Sequence, residues 1–106
     1  MTENLDLTVS PNEDASRLAR RFVEGVSKRY RLSPDTATAL KVLASDAAAD
    51  STRSHHSLAI RVTCHESLID IVIHGSGLEE PAVVSPPPGL AIAGGESSIH
   101  VRVQRP

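Results

Sequence analysis

Asp46 and Asp50 stand four residues apart, with Arg53 three residues further on, and this is the constellation in the chain best suited to chemistry. On an α-helix that spacing puts both carboxylates on one face, a turn apart, with the guanidinium a further turn along. Carboxylate oxygens so placed can ligate a hard divalent cation, and through it a phosphate. The competing reading is a polar stripe neutralised by Arg53, because two carboxylates do not by themselves make a phosphate pocket. A second pattern, Gly75-Ser76-Gly77, follows an apolar run and suits either a phosphate loop or a flexible turn. His55 and His56 are adjacent, so they cannot both face one metal, and His65, His74 and His100 are scattered. Cys64 alternates with Leu58, Ile60 and Val62, which makes it a small core residue rather than a nucleophile. Spacing assigns no Ser-His-Asp arrangement.

These residues need elements to hold them. Leu5, Leu7 and Val9 alternate with polar residues, as in a half-buried strand, and Ser10-Pro11-Asn12 stops it. Asn12 or Ser10 caps a first helix running to about Arg31, with Glu13 and Asp14 in its first turn near the positive end of the dipole. Its apolar stripe is Ala15, Leu18, Ala19, Phe22, Val26 and Tyr30, leaving Arg17, Arg20, Arg21, Glu24 and Lys28 outside. Ser33-Pro34-Asp35 starts a second helix with a cap, a proline at its first position and an acid in its first turn. That helix continues through Leu40, Leu43 and Ala47 to around Thr52 and carries the aspartate pair.

From Ser57 the period becomes two, so Leu58, Ile60, Val62 and Cys64 share one face of a strand. Leu68 to Ile73 is nearly all apolar, as in the middle of a sheet, and pairs back on it as a hairpin. Residues 79–97 form a Pro/Gly-rich connection in which only Gly89 to Ala93 hints at a short helical or buried piece. Ser98 to Gln104 closes the chain as a strand. The expected fold is an α/β (α+β) two-layer sandwich, a mostly antiparallel four-stranded sheet with two helices on one face. The other face would carry Arg61, Thr63, His65, His100 and Arg102.

The 106 residues suit a single domain spanning 1–106, able to bury a core without disulfides or metals. Phe22 and Tyr30 are its only aromatic residues, so that core is built from Leu, Ile, Val and Ala. A net charge of −2 and the near absence of stacking platforms argue against nucleic acid. The lone cysteine, the absence of any bilayer-length apolar run and an N-terminus unlike a signal peptide point to the cytoplasm and away from a membrane.

Four stretches then combine in a recognisable order: LTVSPNEDASRLARRFV at the opening, RLSPDTATALKVLASD leading into the second helix, Asp46 to Arg53 on it, and Ile71 to Gly77 at a strand end. With the element order, they resemble the histidine-kinase-like ATPase fold as used by bacterial anti-sigma-factor serine kinases. In that family the second helix carries a Glu that orients the attacking group and, after three intervening residues, an Asn that binds the bridging metal. The resemblance therefore implies Asp46 at the catalytic position, Asp50 at the metal and nucleotide position, and Gly75 and Gly77 in the nucleotide loop. Departures accompany it. Ile73 stands where the family's adenine-reading Asp would be, and about a dozen residues separate Gly77 from Leu90, too few for the phosphate lid and the helix after it. Phosphoryl transfer rests on positioning and neutralising phosphates, so these losses imply a degenerate, truncated relative with no bound cofactor and no kinase activity.

The function so implied is a regulatory protein-binding module resembling anti-sigma factors. Its partner would be a sigma factor or an anti-sigma antagonist, and it would form a homodimer through the sheet or the first helix. Arg17, Arg20, Arg21 and Glu24 form the expected contact surface, because charged faces set partner choice and on-rate. Two alternatives stand beside it: a serine/threonine kinase-type anti-sigma factor using ATP with Mg, and a small structural protein that forms homo-oligomers.

Overall fold

A computed structural model describes residues 2–75, 78, 86–95 and 97–106. Its elements are β1 (Glu3–Val9), α1 (Ala15–Arg29), α2 (Pro34–Arg53), β2 (Leu58–Cys64), β3 (Leu68–His74), β4 (Leu90–Gly94) and β5 (Ser98–Gln104). The strands form a five-stranded sheet in the order β1-β2-β3-β5-β4, and every neighbouring pair is antiparallel. The expected class holds; the strand number is five, not four. The added strand is β4, in the piece read as helical or buried. Its Ala- and Gly-rich sequence carries little strand signal, and pairing with β5, Leu90 opposite Val103 and Ile92 opposite Val101, is what makes it one. Residues 79–85 and Ser76, Gly77 and Glu96 lie outside the described residues, and with them part of the connection at 79–97.

Both helices begin and end for local reasons. At α2, Ser33 Oγ accepts the Thr36 amide at 3.2 Å and Pro34 takes the first turn, as the sequence indicates. α1 starts later than Asn12, because the Asn12 side chain instead accepts the Asp14 amide at 2.9 Å in an Asx turn and its carbonyl accepts from Ala15. Asp14 then becomes the cap residue. Each helix closes on a non-glycine residue in the left-handed region, Arg31 at φ 55° and His55 at φ 59°, and the following amides of Leu32 and His56 bond back to Ser27 and Ser51 carbonyls.

The core lies between the helices and one face of the sheet. Ile69, Ile71 and Ile73 of β3 meet Val62 and Ile60 of β2 and Ile99, Val101 and Val103 of β5, under Ala19, Val23, Leu40, Leu43, Ala44 and Ala48. The alanines have no side chain beyond Cβ, which lets the helices approach closely. One expectation for α1 fails. Leu18 is 40% exposed while Val23, left out of the apolar stripe, is 1% exposed. The buried face follows Ala15, Ala19, Val23, Val26 and Tyr30, so the helix is rotated away from Leu18 and Phe22 is only half-buried. Cys64 is buried among apolar neighbours, as its strand position indicates.

Candidate functional site

α2 brings the aspartate pair to its C-terminal half with different surroundings for each member. Asp46 is exposed, whereas the Asp50 side chain keeps 13% of its surface in water and its Oδ1 pairs with Arg53. A carboxylate already engaged by a guanidinium one turn away is a poor open ligand for a cation. Next to Asp50, the Ser51 hydroxyl is buried and donates to the His56 carbonyl at 2.7 Å, closing the helix end.

The fold does bring Gly75 to this place. A Cβ on Gly75 would lie 3.2 Å from Leu58 Cδ1, 3.3 Å from Ser51 Oγ and 3.4 Å from the Ser57 carbonyl. A Cβ there would be crowded by the close passage of the β3 end under the end of α2, so packing offers a reason for a glycine at this position. Its amide donates to the Ser97 carbonyl at 2.9 Å, extending the β3–β5 ladder by a residue. Gly77, the second glycine of the pattern, is outside the described residues. Ile73, at the position of the adenine-reading acid in the resemblance, is 1% exposed and points into the core, while His74 is exposed on the opposite face. Among the described residues, no group of three or more His, Cys, Asp or Glu side chains converges as metal ligands.

The expected contact residues are on one helix, and they divide. Arg17 Nη2 meets Asp14 Oδ1 at 3.1 Å and Lys28 Nζ meets Glu24 Oε1 at 3.5 Å, so Arg17 and Glu24 are partly satisfied along α1 itself. Arg20 and Arg21 are exposed, with no ion pair among the described residues.

A further constellation sits on the open face of the sheet. Register aligns Asn4, Thr63, Asp70, Arg102 and Ala91 in one row across all five strands, and Asp6, Arg61, Val72, His100 and Ala93 in the next. Arg61 Nε contacts Asp6 Oδ1 at 3.1 Å, and Arg102 Nε contacts Asp70 Oδ1 at 3.1 Å. His65 Nε2 lies 3.2 Å from the other Asp70 oxygen. Asp70 thus has both oxygens engaged, which orients it and leaves it ill suited to act as a free base. The face forms two shallow depressions, one of about 550 Å³ bordered by Thr63, His65, Asp70, His100 and Arg102, the other of about 520 Å³ bordered by Asp6, Thr8, Arg61 and His74. Arg61, Thr63, His65, His100 and Arg102 are legible from strand alternation. Asp70 is missed when Leu68 to Ile73 is taken as a nearly all-apolar central strand, although its two-residue period with Val72 and His74 puts it on the open face.

At one end of the molecule Glu3 accepts from Arg29 Nε and Nη2, both at 2.8 Å, and from the Tyr30 hydroxyl. These hydrogen bonds, the Arg29 pair first and Tyr30 second, hold the Glu3 carboxyl down at about 2. Burial and then the Glu3 carboxylate push the Tyr30 hydroxyl up to about 12. The Arg29 and Arg105 guanidinium carbons lie 5.9 and 5.5 Å from the Tyr30 ring centre, so the cluster ties β1, α1 and the C-terminal residues together. It is a fastening of the fold, with its polar groups turned on one another.

The architecture defines the chain as an α+β two-layer protein with an all-antiparallel sheet. No family model matches it, and none of the curated proteins matches it in sequence. Among the described residues, no helix is long and apolar enough to cross a membrane.

Proposed function

We propose that this chain is a regulatory protein-binding module of the anti-sigma-factor type, which acts by holding a protein partner and not by phosphorylating one. The observation that carries the reading is the outward face of α1, where Arg20 and Arg21 are exposed and unpaired among the described residues beside the internally paired Arg17 and Glu24. Two adjacent guanidinium groups on a helix supported from beneath by the core suit an acidic surface on a sigma factor or an anti-sigma antagonist. The α2 region supports the same reading: Asp50 is engaged by Arg53, Gly75 has a packing reason to be glycine, and Ile73 presents no hydrogen-bond acceptor for a base.

Calorimetric titration with ATP and ADP in the presence of magnesium separates this module from the kinase. No saturable heat is expected up to millimolar nucleotide; saturation in the micromolar range, abolished by Asp50→Ala in a folded protein, overturns the reading in favour of the enzyme. For the partner, the double variant Arg20→Glu, Arg21→Glu is expected to weaken binding to the captured sigma factor or antagonist at least about tenfold, mostly through a slower on-rate at low salt. Unchanged affinity removes α1 as the contact surface.

A further inference from the structure

The sheet has two edges, and they are defended differently. β1 carries Glu3 and Asp6, acids of the kind that discourage a second strand from pairing, whereas β4, Leu90-Ala91-Ile92-Ala93-Gly94, has no charged residue and no proline. Hydrogen bonding at both ends of the β4–β5 ladder fixes which backbone groups β4 has to offer. The Gln104 amide donates to the Gly89 carbonyl and the Gly95 amide to the Ser98 carbonyl, each at 2.8 Å, so Gly89 and Gly95 sit at hydrogen-bonded pairs with β5. Such pairs alternate along an antiparallel ladder. Ala91, opposite Arg102, and Ala93, opposite His100, therefore turn their amides and carbonyls toward β5. Ile92 and Gly94 turn both groups away from the sheet, as Leu90 does its carbonyl, while the Leu90 amide folds back onto the Pro87 carbonyl at 3.1 Å.

We propose that β4 pairs antiparallel with β4 of a second copy of the chain about a two-fold axis through Ile92, joining two five-stranded sheets into one of ten. The outward groups match themselves under that symmetry. Ile92 faces Ile92 of the second copy as a hydrogen-bonded pair with two bonds, and each Gly94 amide meets the Leu90 carbonyl across the axis, adding two more. Leu90 cannot reciprocate with its amide, and the Pro87 carbonyl already satisfies that donor. No like charges oppose one another at any position, and Ala91 falls opposite Ala93, small side chains on the open face. On the helix side the half-buried Ile92 side chains meet and cover each other's remaining apolar surface. The arrangement is also closed: it leaves only the two acid-bearing β1 edges at the ends, so a dimer and not a fibre results. A two-fold axis through Asp6 on β1 would instead oppose two carboxylates. The depression bordered by Ala91, Ala93, His100 and Arg102 then continues into its symmetry mate, giving one concave surface across the axis. The proposal stands apart from the α1 contact surface, which lies on the other layer.

Five residues of pairing make a small interface, so the dimer is expected to dissociate on dilution. Sedimentation from about 1 mM down to about 1 µM protein, with amide exchange followed residue by residue at both ends of that range, tests it. The expected result is a monomer–dimer transition in which the Ile92 and Gly94 amides become slow to exchange only in the dimer, while Ala91 and Ala93 are slow throughout. Ile92→Lys opposes two ammonium groups at the axis and is expected to give a folded monomer at all concentrations. Gly94→Pro removes an outward donor that the internal ladder does not use, and is expected to weaken the dimer at least about tenfold if Ile92→Lys fails to fold. Thr8→Lys on β1 is expected to leave the dimer intact. A monomer at about 1 mM, rapid exchange of Ile92 at every concentration, or a dimer broken by Thr8→Lys and kept in the β4 variants overturns the proposal.

Discussion

Ile71 and Val72 are consecutive residues of β3, yet the first is fully buried against the helices and the second is half-exposed on the open face between Arg61 and His100. One step along a central strand moves a side chain from a dry, close-packed interior to a surface of paired charges. The covered face is held by Ile, Val and Leu, and the open one by Asp6 with Arg61 and by Asp70 with His65 and Arg102. Burial on one face contributes most of the folding energy, while the exposed ion pairs of the other contribute little of it.

The sharpest way to test that contrast is to truncate the two neighbours alike. Ile71→Ala is expected to cost about 2–5 kcal/mol in urea unfolding, because it loses burial and leaves a cavity, while Val72→Ala is expected to stay within about 1 kcal/mol. Equal losses would mean that the open face is covered in solution, and the Val72→Ala loss alone would shrink on dilution if a second copy is what covers it.

A smaller effect is expected from Asp70→Asn. The pairs it makes with His65 and Arg102 are partly exposed, so the loss is about 0.5–1 kcal/mol in low salt and shrinks as salt screens the charges. A penalty several times larger, insensitive to salt, would show that this face is dry.

The finest distinction concerns Glu3, whose carboxylate lies at the rim of the covered face and is held by Arg29 and Tyr30. Its carboxyl is lowered from 4.5 to about 2, so the folded state favours the ionised form. The contribution is fully present above the ordinary carboxyl range and is lost as pH falls through the lowered value. Wild type is therefore expected to exceed Glu3→Gln in stability at pH 7, with the gap closing between about pH 4.5 and pH 2 in chemical denaturation. A gap that persists unchanged below pH 2 would assign the effect to packing.

Much of the fold is legible in the chain itself. Ser33-Pro34 starts α2 because a hydroxyl cap and a proline at the first position are local devices whose geometry needs no distant partner. The alternation of Leu58 to Cys64 and of Ser98 to Gln104 marks strands with one apolar face, and those faces are the buried ones. Leu18 and Val23 show the limit: α1 has more apolar residues than its buried stripe can hold, and only the angle at which it rests on the sheet chooses between them. The same limit applies at Asp46 and Asp50. Spacing places both on one stripe, but the fold leaves Asp46 in water and folds Asp50 in beside Arg53.

Sequence by itself determined the two-layer class, the start of α2 and the division of β2 and β5 into apolar and polar sides, because periodicity and capping act within a few residues. Tertiary structure decided that Leu90–Gly94 is a fifth strand, that Gly75 passes close to Ser51 and Leu58, and that Asp70 lies between His65 and Arg102. Each depends on a partner far along the chain or across a sheet. No local pattern can specify such a neighbour before the strands are in register.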